Sequence, residues 1–135
     1  MGTNDDAFES DNRAMIARMG QDKALADRSW AWFDEVTRYR YSYHFRWLGL
    51  PIIQFPQDVV ALQEIVWRTQ PDLVIETGVA RGGSLVFYAS MMRLLESAQP
   101  ARGRGHVIGI DIDIRPENRA AIEGHPLGGD ITLVQ

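Results

Sequence analysis

The spacing of apolar side chains divides this chain into segments of different rhythm. Residues 1–12 are polar and acidic and read as frayed. Residues 13–28 carry Met15, Ile16, Met19 and Leu25 at scattered helical intervals, which predicts a weak helix. Trp30, Phe33, Val36 and Thr37 keep helical spacing. The pattern then changes: Tyr39, Tyr41, Tyr43, Phe45 and Trp47 alternate with Arg40, Ser42, His44 and Arg46, and a period of two predicts extended chain. Gly49, Pro51 and Pro56 punctuate the next segment, "GLPIIQFPQD". A helix is expected to begin near Gln57 or Asp58, with Val59, Leu62, Ile65 and Val66 as its apolar stripe, and to end before Pro71.

From there the rhythm is strand, helix, strand, helix, strand. Strands are expected at 73–76, 106–111 and 131–134, and helices at 84–97 and 116–123. Pro116 suits the first turn of the last helix and Gly124 its end. Alternation of this kind means parallel strands joined by crossover helices. "DLVIE" and "HVIGID" are near-continuous apolar runs, as expected of strands covered on both faces. The fold class is therefore α/β: a Rossmann-like parallel sheet with flanking helices, of three strands, preceded by a helical and aromatic segment. We divide the chain into an N-terminal lead-in, 1–56, and a partial Rossmann-like domain, 57–135. The helix at 84–97 carries Leu85, Val86, Phe87, Tyr88, Met91, Met92, Leu94 and Leu95, more apolar circumference than a three-stranded sheet is expected to bury.

Composition narrows the function. Of 135 residues, 45% are hydrophobic, enough for a core, and the formal charge is −4, which disfavours a dedicated nucleic-acid or anionic-membrane binder. The chain has no cysteine, which removes disulfides and thiolate metal sites. No apolar run approaches the roughly 18 residues of a membrane span, and the N-terminus is unlike a signal peptide. A cytoplasmic location is expected.

The stretch "LVIETGVARGGSL" joins the first strand of the sheet to its helix. Gly78 sits where the chain must turn sharply, Gly82 and Gly83 where a ligand or the neighbouring strand is expected to come close to the backbone, and Ala80 between them. Ser84 is expected to cap the helix, whose first amides then favour a negative ligand group. The spacing is neither that of a dinucleotide fingerprint nor that of a P-loop, and Arg81 is not placed as a P-loop lysine. Glu76 before the loop suits S-adenosylmethionine, which offers an ammonium to an acid, a carboxylate to amides, and no phosphate. Asp111, ending the second strand, is placed to accept hydrogen bonds from ribose hydroxyls, although its offset from the loop exceeds the usual interval of about 20 residues. The bland alternative is that the glycines only turn the chain and Asp111 only caps a strand end.

These residues resemble a known family. "YHFRWLGLPIIQFPQD", "PDLVIETGVARGGSLVFYASM" and "VIGIDIDIRPENR" together resemble the cephalosporin hydroxylase family, which includes rhamnosyl O-methyltransferases and has a class I S-adenosylmethionine-dependent methyltransferase fold. The resemblance covers roughly 39–135. It implies that Glu76, Gly78 and Gly82 lie on the cofactor loop, with Ala80, Gly83 and Ser84 beside them, and that Asp111 is the ribose acid. It implies methyl transfer to a sugar or natural-product hydroxyl rather than hydroxylation, with the lead-in packed near the cofactor pocket. It also implies a chain truncated after its third strand, so that any divalent metal, the catalytic base and most of the acceptor pocket depend on residues beyond it. A homo-oligomer, or a partner chain completing the sheet, is expected in that case.

Other features have plainer readings. Asp113, two residues beyond Asp111, is expected to line the adenosine pocket or to be solvated, and no metal is assigned to the pair. His44, His106 and His125 lack metal-ligand spacing. The arginines and aromatics of "TRYRYSYHFRW" suggest base stacking, but packed rings with solvated arginines suit an acidic chain better. Two functions stand against the methyltransferase reading. One is a non-catalytic module that binds a nucleoside or oligomerises. The other is a nucleotide-binding oxidoreductase half, which the loop spacing disfavours.

Overall fold

The computed structural model describes residues 3–135. Two compact units emerge, one ending at Arg40 and one comprising Tyr41–Gln135.

The first unit holds two helices, α1 (Thr3–Gln21) and α2 (Lys23–Thr37). Residues 3–12, expected to fray, belong to α1; residues 1 and 2 lie outside the described residues. Asp5 and Asp6 in the first turn complement the helix dipole, and Ala, Glu, Arg and Met supply the propensity. The helix expected over 13–28 is broken at Asp22, whose carboxylate accepts the Leu25 N–H at 2.9 Å and starts α2. Phe8, Ile16 and Trp30 stay exposed.

The second unit begins differently from the period-two reading. Tyr41–Tyr43 is a 3-10 turn, and only Arg46–Trp47 (β1) is extended, paired antiparallel with Leu50–Pro51 (β2). The rings explain the difference. Tyr41 meets His44, Phe45 and Phe55 with centroids 5.0–5.9 Å apart, and partners three and four residues on are brought together by a tight turn, not by a strand.

Next come α3 (Pro56–Thr69), β3 (Leu73–Thr77), α4 (Gly83–Ala98), β4 (His106–Ile110), α5 (Pro116–Glu123) and β5 (Ile131–Val134). The three strands form a parallel sheet in the order β3-β4-β5, so the α/β, Rossmann-like reading holds. The register aligns Val74, Val107 and Ile131 in one row and Glu76, Gly109 and Leu133 in another. These rows share the face on which the core lies, with Leu85, Ala89, Met92 and Leu95 of α4 and Ile122 of α5. The opposite rows carry Leu73, Ile75, Ile110 and Val134, all exposed. Coverage of both faces, expected from the apolar runs, is thus not found among the described residues: the helices that follow β3 and β4 pack on one side.

The apolar girth of α4 is better buried than expected, and among its large apolar residues Leu94 is the exposed one. The β1–β2 hairpin supplies the missing cover. The Trp47 indole N–H donates to Ser90 Oγ at 3.0 Å, and its ring meets Phe87 edge-on at 5.0 Å. Burial of Leu85, Val86, Phe87 and Leu95 contributes about 1.5–3 kcal/mol each, which makes α4 the anchor of the unit. The hairpin turn is pinned from the other side by His125. Its Nδ1 accepts the Leu127 N–H at 3.1 Å, which leaves Nε2 to donate to Leu48 O at 3.0 Å. Among the described residues no helix is long and apolar enough to cross a membrane.

Candidate functional site

The site begins where β3 ends. Val74 and Glu76 point to the α4 side of the sheet, so the last inward position of the strand is a carboxylate. Ser84 Oγ donates to Glu76 Oε1 at 2.6 Å, while the other oxygen, Oε2, is buried with no hydrogen-bond partner. Burial raises the Glu76 carboxyl above its ordinary value, and the Ser84 bond only partly opposes this. Tyr88, one turn further along α4, is also raised, first by burial and then by the charge of Glu76. The hydroxyl of Ser84 thus serves Glu76. The capping role expected for it is not found, because α4 starts at Gly83, with Gly82 as its N-cap.

The loop between Glu76 and α4 is held in an unusual conformation. Gly78 has φ +91°, and a Cβ there would meet nothing within 4 Å, so its surface is open for a ligand. Ala80 also takes a positive φ, of 44°, which costs an L-residue about 1–2 kcal/mol. Gly83 answers a close approach: a Cβ on it would strike the backbone carbonyl of Pro51. Thus β2 lies directly over the start of α4. A cavity of about 400 Å³ opens between them, lined by Glu76, Gly78, Ala80, Gly82, Gly83 and Ser84 from the loop side and by Tyr43, Pro51, Ile53 and Gln54 from the lead-in.

Asp111 follows β4 and reaches sideways to this loop. Its Oδ2 accepts the Val79 N–H at 2.7 Å and its Oδ1 the Asp113 N–H at 3.2 Å. These bonds, the one from Asp113 first, hold its carboxyl below the ordinary value. Asp111 therefore borders the loop without lining the cavity, and Asp113 is exposed, tied to Asp111 through its backbone alone. Between them Ile112 is 96% exposed, an isolated apolar side chain beside two acids. Among the described residues no group of three or more His, Asp or Glu is placed to hold a metal ion.

Three contributions are not legible in the sequence pattern. Tyr43 and Gln54 reach the cavity because the aromatic block turns instead of running straight. Asn118, on α5, is buried, and its Nδ2 donates to Ala80 O at 2.7 Å. The spacing of Asn118 and Ile122, both buried at i and i+4, is the available signal for the face of α5 that meets the loop.

Against known proteins, the family model for rhamnosyl O-methyltransferase/CmcI matches residues 39–135. A rhamnosyl O-methyltransferase of Mycobacterium leprae (strain TN) is 33% identical over 75 residues, which cover 56% of this chain and 30% of that protein. No solved structure gives a significant match. The matched residues contain the whole hairpin, the glycine loop, Asp111 and α5, and the chain belongs to the rhamnosyl O-methyltransferase/CmcI family.

Proposed function

We propose that this chain forms the S-adenosylmethionine-binding part of an O-methyltransferase that acts on a sugar or natural-product hydroxyl. The observation that carries the reading is Glu76, with one buried carboxylate oxygen left without a partner beside an open glycine loop. A pyrophosphate brought to that loop would meet a like charge in a desolvated setting. An ammonium group would instead give Oε2 the donor it lacks. The residues present therefore suit the aminoacyl end of S-adenosylmethionine better than a dinucleotide.

The remaining groups divide the ligand between them. Amides of the loop are donors for its carboxylate. Asp111 is held in place by backbone N–H groups, from Val79 and Asp113 among others, and the acceptor capacity its carboxylate keeps serves the ribose hydroxyls. Ile112 offers an apolar surface to the adenine ring. Bound in this way, the sulfonium supplies an electrophilic methyl group. The chain's own contribution is then to orient that methyl and exclude water. The family name and the rhamnosyl O-methyltransferase relative support a sugar hydroxyl as acceptor.

Isothermal calorimetry tests the reading. S-adenosylmethionine and S-adenosylhomocysteine are expected to bind more tightly than NAD, and equal or tighter NAD binding rejects the assignment. Asp111→Ala is expected to lose roughly tenfold or more in affinity, because hydroxyls lose a charged acceptor, and Asp113→Ala much less. Binding without methyl transfer to any sugar acceptor would favour the non-catalytic, nucleoside-binding alternative.

A further inference from the structure

The glycine loop is supported from below by α5. Asn118 and Ile122 are the buried residues of that helix. Ile122 is fully buried against Gly82, where a Cβ would collide with its side chain. Asn118 Nδ2 donates to Ala80 O, and since a carbonyl can only accept, the orientation of the amide is fixed by this contact. Ala80 is the residue of the loop that carries a steric penalty, with φ 44° and a Cβ. Strain of this kind persists only where neighbours over-determine the conformation.

The peptide that follows Ala80 explains what the strain achieves. It is planar and trans, so its C=O and N–H point in opposite directions. With the carbonyl drawn down to Asn118, the Arg81 N–H is turned away from α5. No acceptor for this N–H is found among the described residues, whereas Gly82 N–H bonds to Val79 O and Val79 N–H to Asp111. Ala80 and Arg81 both line the cavity. A donor held open at a cavity wall, by a strained residue and a buried amide, has the form of a preorganised anion contact.

We propose that Asn118 is a positioning residue: by holding the Ala80 carbonyl it presents the Arg81 N–H to the carboxylate of the aminoacyl group of the bound ligand. This rests on S-adenosylmethionine being the ligand of the cavity. It adds that the nucleoside and aminoacyl halves of the ligand depend on different supports, Asp111 for the first and Asn118 for the second.

The test compares S-adenosylhomocysteine with methylthioadenosine, which keeps the nucleoside and thioether but has no carboxylate. For Asn118→Ala and Asn118→Asp, calorimetry is expected to show the dissociation constant of S-adenosylhomocysteine rising about tenfold, in line with the loss of one well-placed bond to a charged group. That of methylthioadenosine should change less than about threefold, and the variants should keep a cooperative melt. Equal weakening of both ligands would mean that Asn118 only holds the fold, and no weakening would mean that it does not set the loop; either result overturns the proposal. Should the variants not fold, amide NMR of the wild-type chain decides. The Arg81 N–H resonance is expected to shift with S-adenosylhomocysteine and not with methylthioadenosine, and equal shifts reject the proposal. A wild-type chain that binds neither ligand overturns the cofactor reading itself, and this inference with it.

Discussion

Glu76 combines a structural cost with the binding role proposed for it, and the two can be separated. Its carboxyl is raised by burial, so the folded chain holds that proton to higher pH than the unfolded chain does. The sign is therefore the reverse of a salt-bridged acid. Stability contributed here is greatest below the ordinary value of 4.5, falls as pH climbs through the interval up to the raised value, and is lost above it. Glu76→Gln keeps an acceptor for Ser84 Oγ and removes the buried charge. At neutral pH it is expected to raise the melting temperature, by the equivalent of about 1 kcal/mol, with the gain shrinking as pH falls below the carboxylate range. The same change is expected to weaken S-adenosylmethionine. Thermal melts at acidic and neutral pH, beside calorimetry, check both; a variant that binds unchanged would remove Glu76 from the ligand contacts. Much of this position is legible in the sequence, since an acid closing an apolar strand before a glycine loop needs a reason. Asn118 is less so: its spacing from Ile122 marks the inner face of α5, but its bond to Ala80 spans 38 residues and that spacing does not name the partner.

Elements with one strong periodicity are legible almost to the residue. The helix expected at 116–123 is α5 and the strand expected at 131–134 is β5, because Pro116, Gly124 and the β-branched run mark their limits chemically. The aromatic block misleads because alternation of ring and polar residue also satisfies a compact turn, in which Tyr41 gathers three neighbouring rings. The seat of the hairpin on α4 is equally hidden, since it depends on a missing Cβ at Gly83 meeting a carbonyl more than thirty residues earlier in the chain. Gly83→Ala is expected to push β2 off the start of α4 and destabilise the unit by about 1–3 kcal/mol. Urea unfolding measures the loss, and Trp47 fluorescence should move to the red as its ring leaves Phe87. An unchanged midpoint and spectrum would mean that β2 yields without leaving α4.

For the whole molecule, the open side of the sheet is the feature with the largest physical consequence. Ile75 is 58% and Leu73 46% exposed on β3, which pairs with a neighbour on one side only among the described residues. Such an edge and face recruit other chains. The isolated 135-residue chain is expected to scatter light as a species larger than 15.3 kDa, and Ile75→Lys to reduce that mass. A monodisperse wild-type monomer would contradict this. The apolar run of β3 foretells burial on two sides, but a strand's residues say only that cover is wanted, not which segment provides it.

The order of the site along the chain has a different consequence. Glu76, the loop, Asp111 and Asn118 all lie within residues 76–118, a single uninterrupted stretch, whereas Tyr43 and Gln54 come from the segments on either side of the β1–β2 hairpin. The side-chain bonds that tie these residues together, Ser84 to Glu76, Val79 N–H to Asp111 and Asn118 to Ala80, are therefore all made inside one stretch of chain. The wall across the cavity is tied to that stretch where Pro51 meets Gly83 and where Trp47 meets Ser90 and Phe87, so the two must change together.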